Sequence, residues 1–263
     1  MKIGVCLNWT IEENMIALMN SGVDFVELQL SSLYNVDDTS VESLKSRLQN
    51  NSIYCPVMNF MLPANLRCTG DDVNYEAIEE YFENVLKKAS ILGTKIIVFG
   101  SGMSRRLDSD TSFEKGYSQL VYLLREIVSP IFNKYGMICV IEPLSEDNLI
   151  KTIDDGLKLV KDVDKHNVKL LIDFYHTATN DEDMCDLSKY ATHLKHVHIA
   201  TKNGRLYPID TDVLECKAII NSLKDINYDG LISLESRVRE GLSLRDCIST
   251  STQLLKNLIN SKN

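Results

Sequence analysis

The sequence predicts a closed (β/α)8 TIM barrel, on three observations. Short β-rich apolar runs recur eight times along the 263 residues. Amphipathic segments with helical spacing separate them. The runs are close to continuously apolar, as strands of a parallel sheet buried on both faces are. An open doubly wound sheet is the alternative. It would gather its ligand at one switch point rather than at many strand ends. No low-complexity tract, linker or Pro/Gly-rich boundary divides the chain, so residues 1–263 are expected to form one barrel domain.

The first run is 3–7 (IGVCL), followed by Asn8 and Trp9, the only tryptophan. Trp9 either stacks on a ligand from the barrel rim or caps that rim. The second run, 23–29 (VDFVELQ), carries Glu27, which reaches the rim or pairs inside the barrel. The third is 53–60 (IYCPVMNF); Phe60 and Met61 at its end are expected as pocket wall or core. In 74–92, Ile78, Phe82, Val85, Ala89 and Leu92 recur at helical spacing, and Gly93 stops the helix. The fourth run is 95–101 (KIIVFGS). Two long connections, 61–73 and 102–112, are candidates for a lid. Arg105 and Arg106 in the second of them are expected as solvated loop charges, the alternative being a phosphate or carboxylate site beside the glycines. A helical face follows over 113–135 (Phe113, Tyr117, Leu120, Val121, Leu124, Val128). The last four runs are 137–143 (MICVIEP), 168–174 (VKLLIDF), 194–200 (LKHVHIA) and 230–236 (GLISLES), and a helix over 242–260 closes the pattern.

Bulk properties narrow the function. Hydrophobic residues make up 44% and charged residues 25%, an ordinary globular mixture. Net charge is -9 and the pI about 5.1, so nucleic acid is a poor default partner. Seven cysteines show no CxxC spacing, and Cys6, Cys55 and Cys139 sit inside apolar runs. They are expected as reduced thiols filling core space, which implies a cytoplasmic protein. The N-terminal apolar run is too short for a signal peptide, and no stretch approaches the length of a membrane span.

Strand ends on a barrel's C-terminal face converge on one site. The last four strands are expected to end on Glu142, Asp173, His198 and Glu235. Singly, each has an ordinary reading: a loop acid, a helix N-cap, a core histidine, half of an ion pair with Arg237. Together, three converging carboxylates repel one another and raise each other's pKa unless a cation joins them. Their oxygen donors with one imidazole suit one divalent ion, Mn2+, Co2+ or Mg2+, with Zn2+ as a further candidate. His176, three residues after Asp173, and Arg205, in the loop after His198, can donate hydrogen bonds to a substrate. His196 lies two residues from His198 and so on the same side of its strand, as support for a ligand or as a core histidine.

The motifs "IEPL", "DFYH", "HVHIA…GR.YP", "SLES" and "VFGSGMSRR" resemble the xylose isomerase-like TIM barrel superfamily, in its sugar isomerase/epimerase branch, over essentially the whole chain. The likeness to ketose 3-epimerases implies Glu142, Asp173, His198 and Glu235 as metal ligands, with Glu142 and Glu235 also the acid/base pair. It implies His176 and Arg205 as substrate contacts. A further substrate-binding glutamate of the family corresponds to Glu146, but "EPLSEDN" is shorter than the family's pattern there. The resemblance implies a sugar or sugar phosphate as substrate and proton abstraction beside a carbonyl through an enediolate. Trp9 would then stack on a sugar face. Related chemistries are an inosose dehydratase-type lyase, an endonuclease IV-like nuclease, which the five histidines and acidic balance disfavour, and a non-catalytic sugar-binding barrel. Barrels of this branch often dimerise or tetramerise, so a homo-oligomer is a candidate state, although no stretch of sequence marks an interface.

Overall fold

A computed structural model describes residues 1–145 and 148–261. The strands are β1 (Lys2–Leu7), β2 (Phe25–Gln29), β3 (Tyr54–Asn59), β4 (Ile96–Phe99), β5 (Ile138–Ile141), β6 (Val168–Asp173), β7 (Leu194–Ile199) and β8 (Leu231–Leu234). Each pairs in parallel with the next, and β8 returns to β1, closing the barrel expected from the sequence. The principal helices are α1 (Glu12–Leu18), α2 (Asp38–Gln49), α3 (Tyr75–Leu92), α4 (Phe113–Tyr122), α5 (Ser129–Lys134), α6 (Ile153–Val163), α7 (Phe174–Thr179), α8 (Val213–Asp225) and α9 (Leu244–Asn260). Asn74 caps α3 by accepting from Ala77 N, and Gly93, at φ 83°, ends it in the left-handed region. No helix among the described residues is long and apolar enough to cross a membrane.

Several elements differ from the expected ranges. The fifth strand stops at Ile141, because Pro143 has no N–H for the ladder. Even so, Glu142 N donates to Phe99 O at 3.3 Å and Glu235 N to Ile199 O at 3.2 Å, so both residues remain tied to the sheet. Segment 113–135 is not one regular helix. Between α4 and α5, Leu123–Val128 widen into a π-helix. Pro130 near the start of α5 cannot donate and crowds the preceding turn, which explains the wider spacing there.

Side chains alternate along a strand, so one parity faces the barrel interior. Phe25, Val57, Val98, Val140 and Leu171 form the interior cluster, packed on Ile96, Ile138 and Leu231. Gly4 leaves room for the Phe25 ring; a Cβ there would stand 2.3 Å from its Cε2. Two residues further along the same parity come Asn59, Gly100, Glu142 and Asp173, with His198 and Glu235 likewise above His196 and Ser233, while Glu27, opposite Val57, lies one step lower. The chemistry-bearing layer thus sits directly on the apolar one. The larger core lies outside the strands, between barrel and helices.

The two long connections are tied to each other. Cys68 N donates to Ser104 O at 2.9 Å, Thr69 Oγ1 to Arg106 O at 2.9 Å, and Leu62 N to Ser101 Oγ at 3.0 Å.

Candidate metal centre and active site

The site grows from four strand ends. His198, on β7, is fully buried and faces carboxylates on both sides of its ring. Nδ1 stands 3.1 Å from Glu142 Oε1 and 3.1 Å from Glu235 Oε2. Nε2 stands 3.1 and 3.2 Å from the two oxygens of Glu27. Burial alone would lower the His198 pKa, but these carboxylates, Glu27 first, hold it well above the usual value.

Asp173 takes the helix N-cap position expected for it. Its Oδ1 caps α7, accepting from Tyr175 N at 2.7 Å and His176 N at 3.4 Å. Its Oδ2 lies 3.2 Å from Arg205 Nη2. Burial, and then the charge of Glu142, push its carboxyl up to about 7 against the opposing pull of Arg205. Arg205 also pairs with the Glu235 carboxylate and donates Nε to Glu235 O at 3.2 Å. Burial would raise Glu235, but His198 and Arg205 outweigh it and hold it below the usual range.

The donor atoms of Glu142, Asp173, His198 and Glu235 lie within 4.8 Å of one another. Ligands on opposite sides of a divalent ion stand roughly 4–5 Å apart, so the set needs little movement to close on one. Gly100 shapes this cradle: a Cβ there would come 2.2 Å from Glu142 Oε2. The donor chemistry, the elevated Asp173 pKa and the cradle all fit a hard or borderline divalent cation.

Beneath the cluster Glu27 is fully buried and accepts from several donors. Ser233 Oγ donates to Oε2 at 2.6 Å, and His196 Nε2 stands 2.8 Å from the same oxygen. Because an ionised carboxylate only accepts, the ring nitrogens facing it carry hydrogens. Burial would raise Glu27, but His198 and His196 hold it well below the usual range. The arrangement therefore points His198 Nδ1 upward, as a second layer orienting a metal ligand does. Cys6 and Glu27 also approach His198 closely enough to form a three-residue donor group. Burial pushes the Cys6 thiol well up, so it keeps its proton, and Glu27 is already committed to its donors; this lower group fits support better than ligation.

His176 is buried beside the cluster. Its Nδ1 accepts from Ser145 N at 3.2 Å and lies 2.8 Å from Ser145 Oγ, so Nε2 bears the hydrogen. That nitrogen stands 3.8 Å from Asp173 Oδ2 and lines the cavity. Trp9 is not brought there: its indole donates to Ser32 Oγ at 2.6 Å and packs on the core, consistent with the rim-capping alternative. Glu146 lies outside the described residues.

Arg105 corrects an expectation. It is no solvated loop charge but fully buried, donating to Phe99 O at 3.0 Å and to Glu142 O. Burial pushes its guanidinium down to about 10. It clamps the ends of β4 and β5 and so fixes where Glu142 leaves the sheet. Arg106 is exposed, as expected, at the cavity wall.

The cavity above the cluster has two lobes. The larger, about 400 Å³, reaches Arg106, Asn148 and His176. The smaller, about 280 Å³, reaches Cys6, Gln29 and Arg237. Asn59, Phe60, Arg205 and Glu235 line both.

Residues 17–258 match the sequence model of the xylose isomerase-like TIM barrel family. The chain belongs to that family. Over 259 residues it is 26% identical to the 3-dehydro-D-guloside 4-epimerase of Escherichia coli (strain K12), covering 91% of this chain and 93% of that protein. It is 25% identical over 232 residues to the D-psicose 3-epimerase of Ruminiclostridium cellulolyticum, covering 84% and 76%. The structure of a 3-keto-D-glucoside 4-epimerase from E. coli superposes with a TM-score of 0.81 at 23% identity, over 98% of this chain and 99% of that one. At that identity the likeness establishes the fold. Within this xylose isomerase-like barrel, Asn59 and the clamp of Arg105 escaped the sequence reading. Asn59 carried one available signal, a polar residue ending an apolar strand.

Proposed function

We propose that this protein is a divalent-metal-dependent isomerase or epimerase of sugars or sugar phosphates, moving a proton beside a carbonyl. One observation carries the reading: four donor residues from four successive strand ends converge within 4.8 Å at the C-terminal mouth of the barrel. The relatives named above as epimerases support the substrate class.

Glu142, Asp173, His198 and Glu235 would hold the ion. When bound, it supplies positive charge that polarises a carbonyl and stabilises the enediolate left by loss of the α-proton. Glu142 and Glu235 form the acid/base pair. One takes the proton and the other delivers one. Delivery to the opposite face of the same carbon epimerises the sugar; delivery to the neighbouring carbon isomerises it. Arg205 steadies Glu235 from both its side chain and its carbonyl. His176, with its hydrogen on Nε2, donates to a sugar oxygen in the larger lobe. The barrel's apolar interior and the buried Glu27 layer close the floor of the site to water.

The test is incubation of ketoses, aldoses and their phosphates in D2O with Mn2+ or Co2+, followed by NMR. Deuterium at the carbon beside the carbonyl is the expected result, and its position separates epimerase from isomerase. Exchange accompanied by loss of water from the sugar would instead identify the lyase chemistry, and no exchange with any member would overturn the reading.

A further inference from the structure

The first half of the barrel leaves polar groups facing the cavity without protein partners among the described residues. Asn59 ends β3, is 5% exposed, and its Oδ1 has no hydrogen bond among the described residues. Gln29, its register partner at the end of β2, also has no side-chain hydrogen bond among the described residues. A buried amide left unpaired is costly unless something else completes it. Both amides line the smaller lobe.

The arginines point to the same place. The chain has nine. Seven engage carboxylates or backbone carbonyls, as Arg47, Arg67 and Arg239 do with Glu12, Asp108 and Asp212. Arg106 and Arg237 alone engage no protein group with their side chains among the described residues, and each lines one lobe of this cavity. Arg237 rises from a fixed backbone: its N donates to Arg205 O at 2.6 Å, and its O accepts from Tyr207 N at 3.1 Å. The lobe it lines has Glu235 as its one carboxylate among the described residues. The larger lobe, at about 400 Å³, holds roughly thirteen waters of ~30 Å³ each. A six-carbon sugar, with about a dozen non-hydrogen atoms, fits there with the smaller lobe to spare.

We propose that the smaller lobe is a second subsite for the far end of the substrate, with Arg237 binding an anionic substituent, a carboxylate or a phosphate, and Asn59 and Gln29 binding hydroxyls. The substrate is thus an acidic sugar or a sugar phosphate rather than a neutral one. This deepens the isomerase/epimerase reading and rests on it. Arg237 suits the anion better than Arg106, because both open amides share its lobe whereas Gln29 does not line that of Arg106.

Three variants and one set of probes test it: Asn59→Leu, Arg237→Gln and Arg106→Gln, each loaded with Mg2+. The first readout needs no sugar. Asn59→Leu removes an unpaired buried amide, so thermal stability should hold or rise; a clear fall would show a structural partner and overturn the role of Asn59. In the second, inorganic phosphate should bind saturably by 31P NMR, weaken about tenfold in Arg237→Gln and stay unchanged in Arg106→Gln. In the third, D-fructose, D-fructose 6-phosphate and D-fructuronate compete in the D2O assay. One of the two anions should win by about tenfold, identifying the substituent, and that preference should vanish in Arg237→Gln. Equal use of neutral and anionic sugars, or loss of preference in Arg106→Gln instead, would overturn the subsite. Phosphate binding at Arg237 without proton exchange in any sugar would leave the subsite standing and refute the isomerase reading. Exchange in neutral sugars without phosphate binding would do the reverse.

Discussion

The two halves of the barrel rim are built from different chemistry. Strands β5 to β8 present Glu142, Asp173, His198 and Glu235, all buried or nearly so, interlocked through His198 and Arg205. Strands β1 to β4 present Cys6, Gln29, Asn59 and Gly100 at the cavity, uncharged and with few contacts of their own. The first group suits chemistry: charges held close in a low-dielectric site act strongly on a reacting carbon. The second group suits selection, since shape and unpaired amides decide which substrate is completed by the pocket. Glu27 and Cys6 cross the division, Glu27 rising from β2 to support His198 from below and Cys6 approaching the same ring from β1.

This contrast breaks most visibly at the proposed acid/base pair. Glu235→Gln or Glu142→Gln should lower proton exchange by roughly 10²–10⁴-fold, measured by NMR with metal content checked in each variant. Turnover at the original rate with metal in place would remove that residue from the chemistry. One layer down the effect is smaller and changes kind. Glu27→Gln keeps the shape but loses the charge that fixes the His198 ring, so Mn2+ affinity should fall about 10–100-fold while the secondary structure stays intact by circular dichroism. An unchanged affinity would mean that His198 is oriented without it.

A pair of glycine substitutions sharpens the comparison further. Gly100→Ala pushes on Glu142 Oε2, so it should weaken metal binding with little change in denaturation midpoint. Gly4→Ala pushes on the Phe25 ring in the apolar layer, so it should cost about 1–3 kcal/mol of stability by urea titration while leaving metal affinity alone. If the two phenotypes were exchanged, the separation of an apolar floor from a metal-holding rim would be wrong.

Legibility in the sequence follows the same division. A carboxylate or histidine closing an apolar run stands out, so Glu142, Asp173, His198 and Glu235 could be read directly, and the eight runs gave the barrel. Arg105 could not be read, because what buries it is a pair of carbonyls, on Phe99 and Glu142, that only the closed sheet brings together. Trp9 was ambiguous for the same reason: Ser32, which takes its indole hydrogen, lies in a different part of the rim. Asn59 and Gln29 are ordinary residues that stand out by lacking a side-chain partner among the described residues, a property no sequence displays. The π-helix at Leu123–Val128 was hidden because the apolar face continues through it and Pro130 alone gives it away.

The most direct test of the charged rim is a metal titration followed by isothermal calorimetry with Mn2+. The unmodified protein should bind one ion per chain, and Asp173→Asn, which leaves the α7 cap a partner but removes a charged ligand, should bind it far more weakly. Absence of saturable binding, or equal affinity in the Asp173→Asn protein, would contradict the assignment of these four strand ends to a metal centre.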